Sequence, residues 1–279
     1  MPATNFILSA FGDEITEDLA AQLDLLAAED VHYVEFRGAW GKNILDFDAS
    51  ELRAADDLLR ARGFGVSAIA SPIGKSSLSQ QVDFELERLE RAIAAAQALG
   101  TRLIRVFSFF VAPGQAADSR PAVLERMSAL SGRARQAGMT LLHENEKEIY
   151  GDIPERCLEI VQHVDSPALR TIFDPANFVQ VGVRPMQQAW PGLAEYTSHI
   201  HIKDAFLADG SVCPAGEGDG GIPELLTTLA ARGYRGFLTL EPHLQIAGPS
   251  GGFSGEAGMR VAIRALRAVL EGIERKKSL

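Results

Sequence analysis

The chain lacks several features that mark secreted and membrane proteins. It has only two cysteines, Cys157 and Cys213, which are far apart and in no metal-ligand spacing. Two such thiols fit a reducing compartment better than a disulfide framework. No apolar run approaches the roughly 18 residues of a membrane span. Residues 1–9 show no basic segment followed by an apolar one, so no signal peptide is predicted. We therefore expect a cytoplasmic protein with no membrane partner.

Positive charge is also scarce. The 279 residues include 27 Lys and Arg against 37 Asp and Glu, which gives a formal net charge of -10. An acidic chain repels polyanions, so we do not expect nucleic acid as a partner. The rest of the composition, 46% hydrophobic and 23% charged, is typical of a globular protein that can bury a large core without disulfides.

Short apolar runs alternate with helical patterns along the chain. Eight runs are interpreted as strands, and they lie at 6–11, 32–36, 64–70, 103–107, 139–143, 169–173, 198–202 and 237–240. Because each is followed by a helical segment, the order predicts parallel strands joined by right-handed crossovers. Eight such units in about 270 residues predict an α/β fold, a closed (β/α)8 TIM barrel, with residues 1–279 as a single domain.

Residues typical of turns and helix ends separate these units. Thr16 and Ser50 are predicted N-caps. Pro121 fits the first turn of the fourth helix. The alternative architecture is an open doubly wound sheet, which usually carries Gly-x-Gly-x-x-Gly after an early strand. This sequence has no such segment there.

Four predicted strands end in side chains that bind metals. These are Glu144, Asp174, His201 and Glu241, at the ends of strands five to eight. Each alone has a simpler explanation, such as a salt bridge, a core histidine or a turn. Because the carboxyl ends of barrel strands meet at one mouth, we expect the four to lie together. Three carboxylates and one imidazole suit one divalent metal ion, namely Mn2+, Mg2+, Co2+ or Zn2+, which would also offset their mutual repulsion.

Strand alternation selects among neighbouring candidates. His199 and His201 share a face, and His201 is nearer the mouth, so His199 is predicted one layer deeper. Glu144 directly ends its apolar run and is preferred to Glu146 as the ligand. By the same alternation His143 faces the helical layer.

The segments that resemble a known family are 142–146, 173–178, 199–204, 214–219 and 240–242. They resemble the xylose isomerase-like barrel superfamily, which includes sugar-phosphate isomerases and epimerases, ketose 3-epimerases, inositol-pathway isomerases and dehydratases, and zinc apurinic endonucleases. Segments 9–15 and 71–75 resemble the sugar isomerase and epimerase branch. The resemblance covers essentially the whole chain and implies the same barrel.

The resemblance implies roles for the polar strand ends. Its metal-ligand positions match the four residues chosen above, and Glu144 and Glu241 would also move protons on opposite faces of the substrate. The expected activity is a metal-dependent isomerase or epimerase acting through an enediolate on a sugar, sugar phosphate or polyol. Such barrels often associate, so a homo-oligomer is compatible with the resemblance. Epimerase relatives often carry His where Asn177 stands, and Asn177 can bind a sugar hydroxyl but cannot shuttle a proton.

Further substrate contacts are predicted around the mouth. Arg37 and Lys203, with Arg105 and Lys75, are placed to hold substrate oxygens or a phosphate. Asn177, His199 and Glu217 are also predicted to contact the substrate, and Glu217 lies in a glycine-rich turn.

Other activities remain open on the same residues. An inosose-type dehydratase, a metal-dependent hydrolase and a metal-free binding barrel are the alternatives. An apurinic endonuclease with three zinc ions would need further histidines at strand ends. Strands three and four end instead in Ser71-Pro72 and Ser108-Phe109, so this activity is not expected.

Overall fold

Eight parallel strands close into a barrel in the computed structural model, which describes residues 6–244 and 254–277. The strands are β1 Ile7–Ala10, β2 Tyr33–Phe36, β3 Gly65–Ile69, β4 Leu103–Val106, β5 Thr140–Glu144, β6 Leu169–Phe173, β7 Thr197–Ile202 and β8 Phe237–Leu240. They pair in sequence order, and β1 pairs with β8 from Ile7↔Phe237 to Ala10↔Leu240, which completes the ring. The predicted (β/α)8 TIM barrel is confirmed, and the open sheet is wrong.

Helices follow the strands. They are α1 Leu19–Ala28, α2 Ala49–Ala61, α3 Val82–Ala98, α4 Ala116–Gln136, α5 Pro154–Val164, α6 Pro175–Gln180, α7 Trp190–Leu193, α8 Ile222–Ala231 and α9 Gly255–Lys277. Two small hairpins, 38–43 and 204–213, lie in the loops after β2 and β7. Among the helices of the described residues, none combines the length and apolar character needed to traverse a bilayer.

The main core lies between the barrel and its helices. Leu23 and Leu26 of α1, Leu89 of α3 and Leu225 of α8 are buried there at 0% exposure. Their helical spacing places one apolar stripe of each helix on the strands. Burying each of these side chains contributes about 1.5–3 kcal/mol, so this layer holds the strand ends in place.

Three predicted helix details are wrong. Asp18, not Thr16, caps α1, and its carboxylate accepts from the Ala21 amide at 2.9 Å. Asp48, not Ser50, caps α2 in a capping box with Glu51. A carboxylate bears a full charge at the positive end of the helix, which favours aspartate at these two positions. Pro121 lies inside α4, which begins at Ala116 and not at the proline.

Candidate active site

The mouth of the barrel brings the four predicted ligand residues together. Glu144 ends β5, His201 lies in β7, and Asp174 and Glu241 directly follow β6 and β8. His201 Nδ1 lies 3.3 Å from Glu144 Oε1, 3.4 Å from Glu241 Oε2 and 3.9 Å from Asp174 Oδ2. One ligand atom from each residue lies within 4.8 Å of all the others.

This cluster has the chemistry of a cation site. All four side chains are at most 4% exposed. Within the described part of the chain, the buried atom His201 Nδ1 has no hydrogen-bond partner. An imidazole nitrogen and three carboxylates that converge on one buried point fit a divalent ion with oxygen and nitrogen ligands. The residues present therefore fit the metal that the sequence predicts.

Three cations compensate the carboxylates. Lys203 Nζ lies 3.1 Å from Asp174 Oδ2 and 3.4 Å from Glu241 Oε2. Arg105 NH1 lies 3.1 Å from Glu144 Oε2, and Arg37 NH1 lies 3.5 Å from Glu241 Oε1. Burying so many charges is favourable only because each has partners of opposite sign.

The protonation of the acids follows from this arrangement. Burial tends to raise the pKa of Glu144, but the positive charge of His201 in its protonated form and the charge of Arg105 hold that pKa below its ordinary value. Burial likewise opposes the charge on Glu241, yet Lys203 and His201 hold its pKa well below the ordinary range. Both glutamates are therefore carboxylates at neutral pH and are able to accept a proton.

Two asparagines fix the orientation of the ligands. Asn145 exchanges two hydrogen bonds with the Asp174 backbone, at 2.9 and 3.0 Å. Asp174 Oδ1 accepts a hydrogen bond from the backbone amide of Asn177 and so caps α6. The other carboxylate oxygen, Oδ2, faces the cluster. Asn177 Nδ2 donates to Glu144 Oε1 at 3.2 Å. Asn177 thus orients a glutamate, and its contact with a sugar hydroxyl stays a prediction.

The remaining predicted residues lie at different depths. Arg37 borders the cluster and donates to Asp13 at 2.6 Å, and Lys203 touches two of the ligand side chains. His199 is fully buried one layer deeper, where Nε2 lies 2.9 Å from Thr239 Oγ1. Glu217 is exposed on the glycine-rich loop. Substrate contacts by these residues stay predictions.

Two residues near Glu144 in the sequence, Glu146 and His143, have partners outside the cluster. Glu146, the second choice as ligand, pairs with Lys75 at 3.0 Å and is not part of the four-residue cluster. His143 is buried with Nε2 at 3.0 Å from Ser108 Oγ. The cluster thus contains Glu144, which directly ends its apolar run, and not Glu146.

Sequence reasoning missed two buried glutamates. Glu35 of β2 contacts both His199 and His201. Glu14, after β1, lies with Oε1 2.8 Å from His243 Nε2, beside Glu241. The sequence signal for Glu35 is its position inside the apolar run Tyr33-Val34-Glu35-Phe36. Because an unpaired charge is rarely buried, a carboxylate there indicates a buried partner.

Comparison with known proteins agrees with this architecture. Residues 23–269 match the family model described as xylose isomerase-like TIM barrel. A 2-epi-5-epi-valiolone 7-phosphate 2-epimerase from Actinoplanes sp. is 30% identical over 184 residues, which cover 65% of this chain and 64% of that enzyme. The chain thus spans less than two thirds of the length of this curated relative.

Solved structures of similar shape include two informative cases. A D-tagatose 3-epimerase-like protein superposes with a TM-score of 0.75 at 19% identity, covering 97% of this chain and 99% of that one. IOLI protein with a binding zinc atom superposes with a TM-score of 0.74 at 15% identity, covering 96% and 99%. At these identities the likeness shows the shared fold.

Proposed function

The chain belongs to the xylose isomerase-like TIM barrel family, and we propose that it is a divalent-metal-dependent isomerase or epimerase of a sugar, sugar phosphate or keto-polyol. The observation that carries the proposal is the buried cluster in which His201 Nδ1 faces three carboxylates. The relative from Actinoplanes is named as an epimerase, which supports the same class of reaction.

The metal would be held by Glu144, Asp174, His201 and Glu241. A divalent ion at this position supplies a Lewis acid that polarises substrate oxygens and so acidifies the adjacent C–H bond. The structure of IOLI protein with a zinc atom supports a divalent ion in this fold.

Glu144 and Glu241 are the proposed proton carriers. They approach His201 Nδ1 at 3.3 and 3.4 Å from strands β5 and β8, which are not neighbours in the barrel. Both are ionised at neutral pH, so each has a carboxylate oxygen that can accept a proton from carbon and return it. A positioned general base of this kind contributes about 10²–10⁴-fold to the rate.

Arg105 and Lys203 are proposed to stabilise the enediolate. Both are at most 5% exposed and already lie against the two glutamates. Arg105 Nε is buried with no hydrogen-bond partner among the described residues. Fixed donors in a site that excludes water stabilise developing negative charge more strongly than water does. Arg37 and Asn177 are proposed to orient the substrate hydroxyls.

The proposal is tested by exchange of carbon-bound hydrogen with solvent. Chelated protein would be reloaded with Mn2+ in deuterated buffer and incubated with ketopentoses, ketohexoses and inososes, and deuterium on carbon would be followed by NMR. We expect incorporation with the natural substrate. Glu241→Gln should lower its rate at least ~100-fold with the fold unchanged, because the amide cannot accept the proton.

The matched control is Glu125→Gln, an exposed position on α4, which should keep the wild-type rate. Exchange that persists in Glu241→Gln would refute the proton-transfer role. Failure of the wild-type protein to bind any divalent ion would overturn the metal-dependent reaction.

A further inference from the structure

Glu35 is a buried carboxylate in the wall of the barrel. It lies in β2 between Val34 and Phe36 and is 0% exposed. The pairing of β2 with β3 shifts register between Val34 and Glu35, so that Val34 pairs with Val66 but Glu35 with Ala68. Bulges of this kind redirect a side chain and are frequent beside functional sites. Here the side chain reaches the histidines of β7.

Both histidines converge on the Glu35 carboxylate. His199 Nε2 lies 2.8 Å from Oε2, and His201 Nε2 lies 3.3 Å from both oxygens. A carboxylate only accepts hydrogen bonds, so both Nε2 atoms donate to it. A neutral His201 that donates through Nε2 carries its lone pair on Nδ1, the atom that faces Glu144, Asp174 and Glu241.

We propose that Glu35 is a positioning residue for the metal site: it holds His201 as the Nε2–H tautomer, with Nδ1 directed at the ion. The inference rests on the proposed metal function. Phe11 supports the same orientation, because its buried ring packs edge-on against His201 with centroids 5.3 Å apart. His199 secures Glu35 from the other side and is itself within reach of Thr239 Oγ1.

The charge on Glu35 also strengthens the ligand. A carboxylate that accepts from the remote nitrogen of a metal-bound imidazole raises the basicity of that ligand and fixes its ring. Glu35 does not belong to the four-residue cluster, since its oxygens face the Nε2 side of the imidazole. Loss of such an outer partner typically weakens metal binding ~10–100-fold.

The test is the Mn2+ affinity of Glu35→Gln, measured on chelated protein by isothermal titration calorimetry. The glutamine carbonyl can still accept from Nε2–H, but it carries no negative charge, and its NH2 group competes for the same position. The imidazole is therefore a weaker and less firmly oriented ligand. We expect the dissociation constant to rise ~10–100-fold. An affinity within twofold of the wild type would overturn the positioning role and leave the proposed function intact.

The matched control is Ser67→Ala. Ser67 is buried in β3, beside β2, and its hydroxyl bonds Ser9 Oγ at 2.7 Å and Val34 O at 3.2 Å. The substitution removes both hydrogen bonds from the same region of the barrel, and neither of them involves a histidine. The dissociation constant should stay within twofold of the wild type; an equal loss in both variants would show general loosening of the barrel and overturn the specific role.

A second measurement uses the wild-type protein and therefore does not depend on whether a variant folds. In wild-type protein with ¹⁵N-labelled histidines and bound Zn2+, the imidazole nitrogen shifts report which atom carries the proton. We expect a protonated Nε2 on His201, and an unprotonated Nε2 would overturn the inference. If the wild type binds no divalent ion, both this inference and the proposed metal function fail.

Discussion

Lys203→Met removes the cation that joins two of the ligand carboxylates. Lys203 is 4% exposed and lies against Asp174 and Glu241. Burial tends to lower the pKa of Lys203, but these two acids raise it above its ordinary value. The ammonium group is therefore charged, and methionine replaces most of its volume without its charge.

The expected cost follows from the charges left behind. Removing one partner of a buried ion pair destabilises a protein by about 3–5 kcal/mol. Arg37 and Arg105 still lie beside Glu241, at 3.5 and 3.6 Å, so we expect the lower end, about 3 kcal/mol. At about 2–4 °C per kcal/mol for chains of comparable size, Tm should fall by ~6–12 °C in chelator.

Mn2+ should reverse this loss. A saturating divalent ion replaces the missing positive charge, and at a thousand times its dissociation constant a ligand stabilises the native state by about 4 kcal/mol. The variant should gain more from Mn2+ than the wild type does, because no ammonium group repels the ion. The assay is thermal unfolding followed by circular dichroism, with chelator and with Mn2+.

The control is Lys147→Met, an exposed lysine near the same mouth, which should change stability by no more than about 0.5 kcal/mol. A Tm of Lys203→Met equal to that of the wild type in chelator would refute the charge argument. Equal gains from Mn2+ in the two proteins would show that Lys203 does not oppose the ion.

Two further predictions concern other buried groups. Asp204→Ala should loosen the glycine-rich loop, because the Asp204 carboxylate accepts hydrogen bonds from the backbone amides of Gly216, Gly218 and Gly220 at 2.8–3.1 Å. Hydrogen exchange of these amides should become at least ~10-fold faster. An unchanged exchange rate would contradict the anchoring role of Asp204. Neither cysteine should react with Ellman's reagent at pH 8 in the native protein, because both thiols are buried. Burial also raises the pKa of Cys157 above its ordinary value and the pKa of Cys213 to about 12. Rapid modification before unfolding would contradict this prediction.

The barrel could be predicted from the sequence because each strand–helix unit is specified by residues that are close together in the chain. Each strand and helix is specified by a period of two or 3.6 residues and by turn residues nearby, and the order of units determines parallel pairing. The residue at which each helix begins was harder to predict from the sequence. Thr16 and Asp18, or Ser50 and Asp48, are all good caps in isolation, and only the backbone geometry of the folded helix selects the aspartates.

The sequence by itself also determined which strand ends carry ligand-type side chains, since Glu144, Asp174, His201 and Glu241 each follow an apolar run. Only the tertiary structure decided what surrounds them. Glu35 meets His199 and His201 across 164 and 166 residues of chain, and no local period encodes that contact. Closing the barrel brings the interior side chains of β2 and β7 together. Once they are buried, the cost of an unpaired charge forces the carboxylate and the imidazoles to pair.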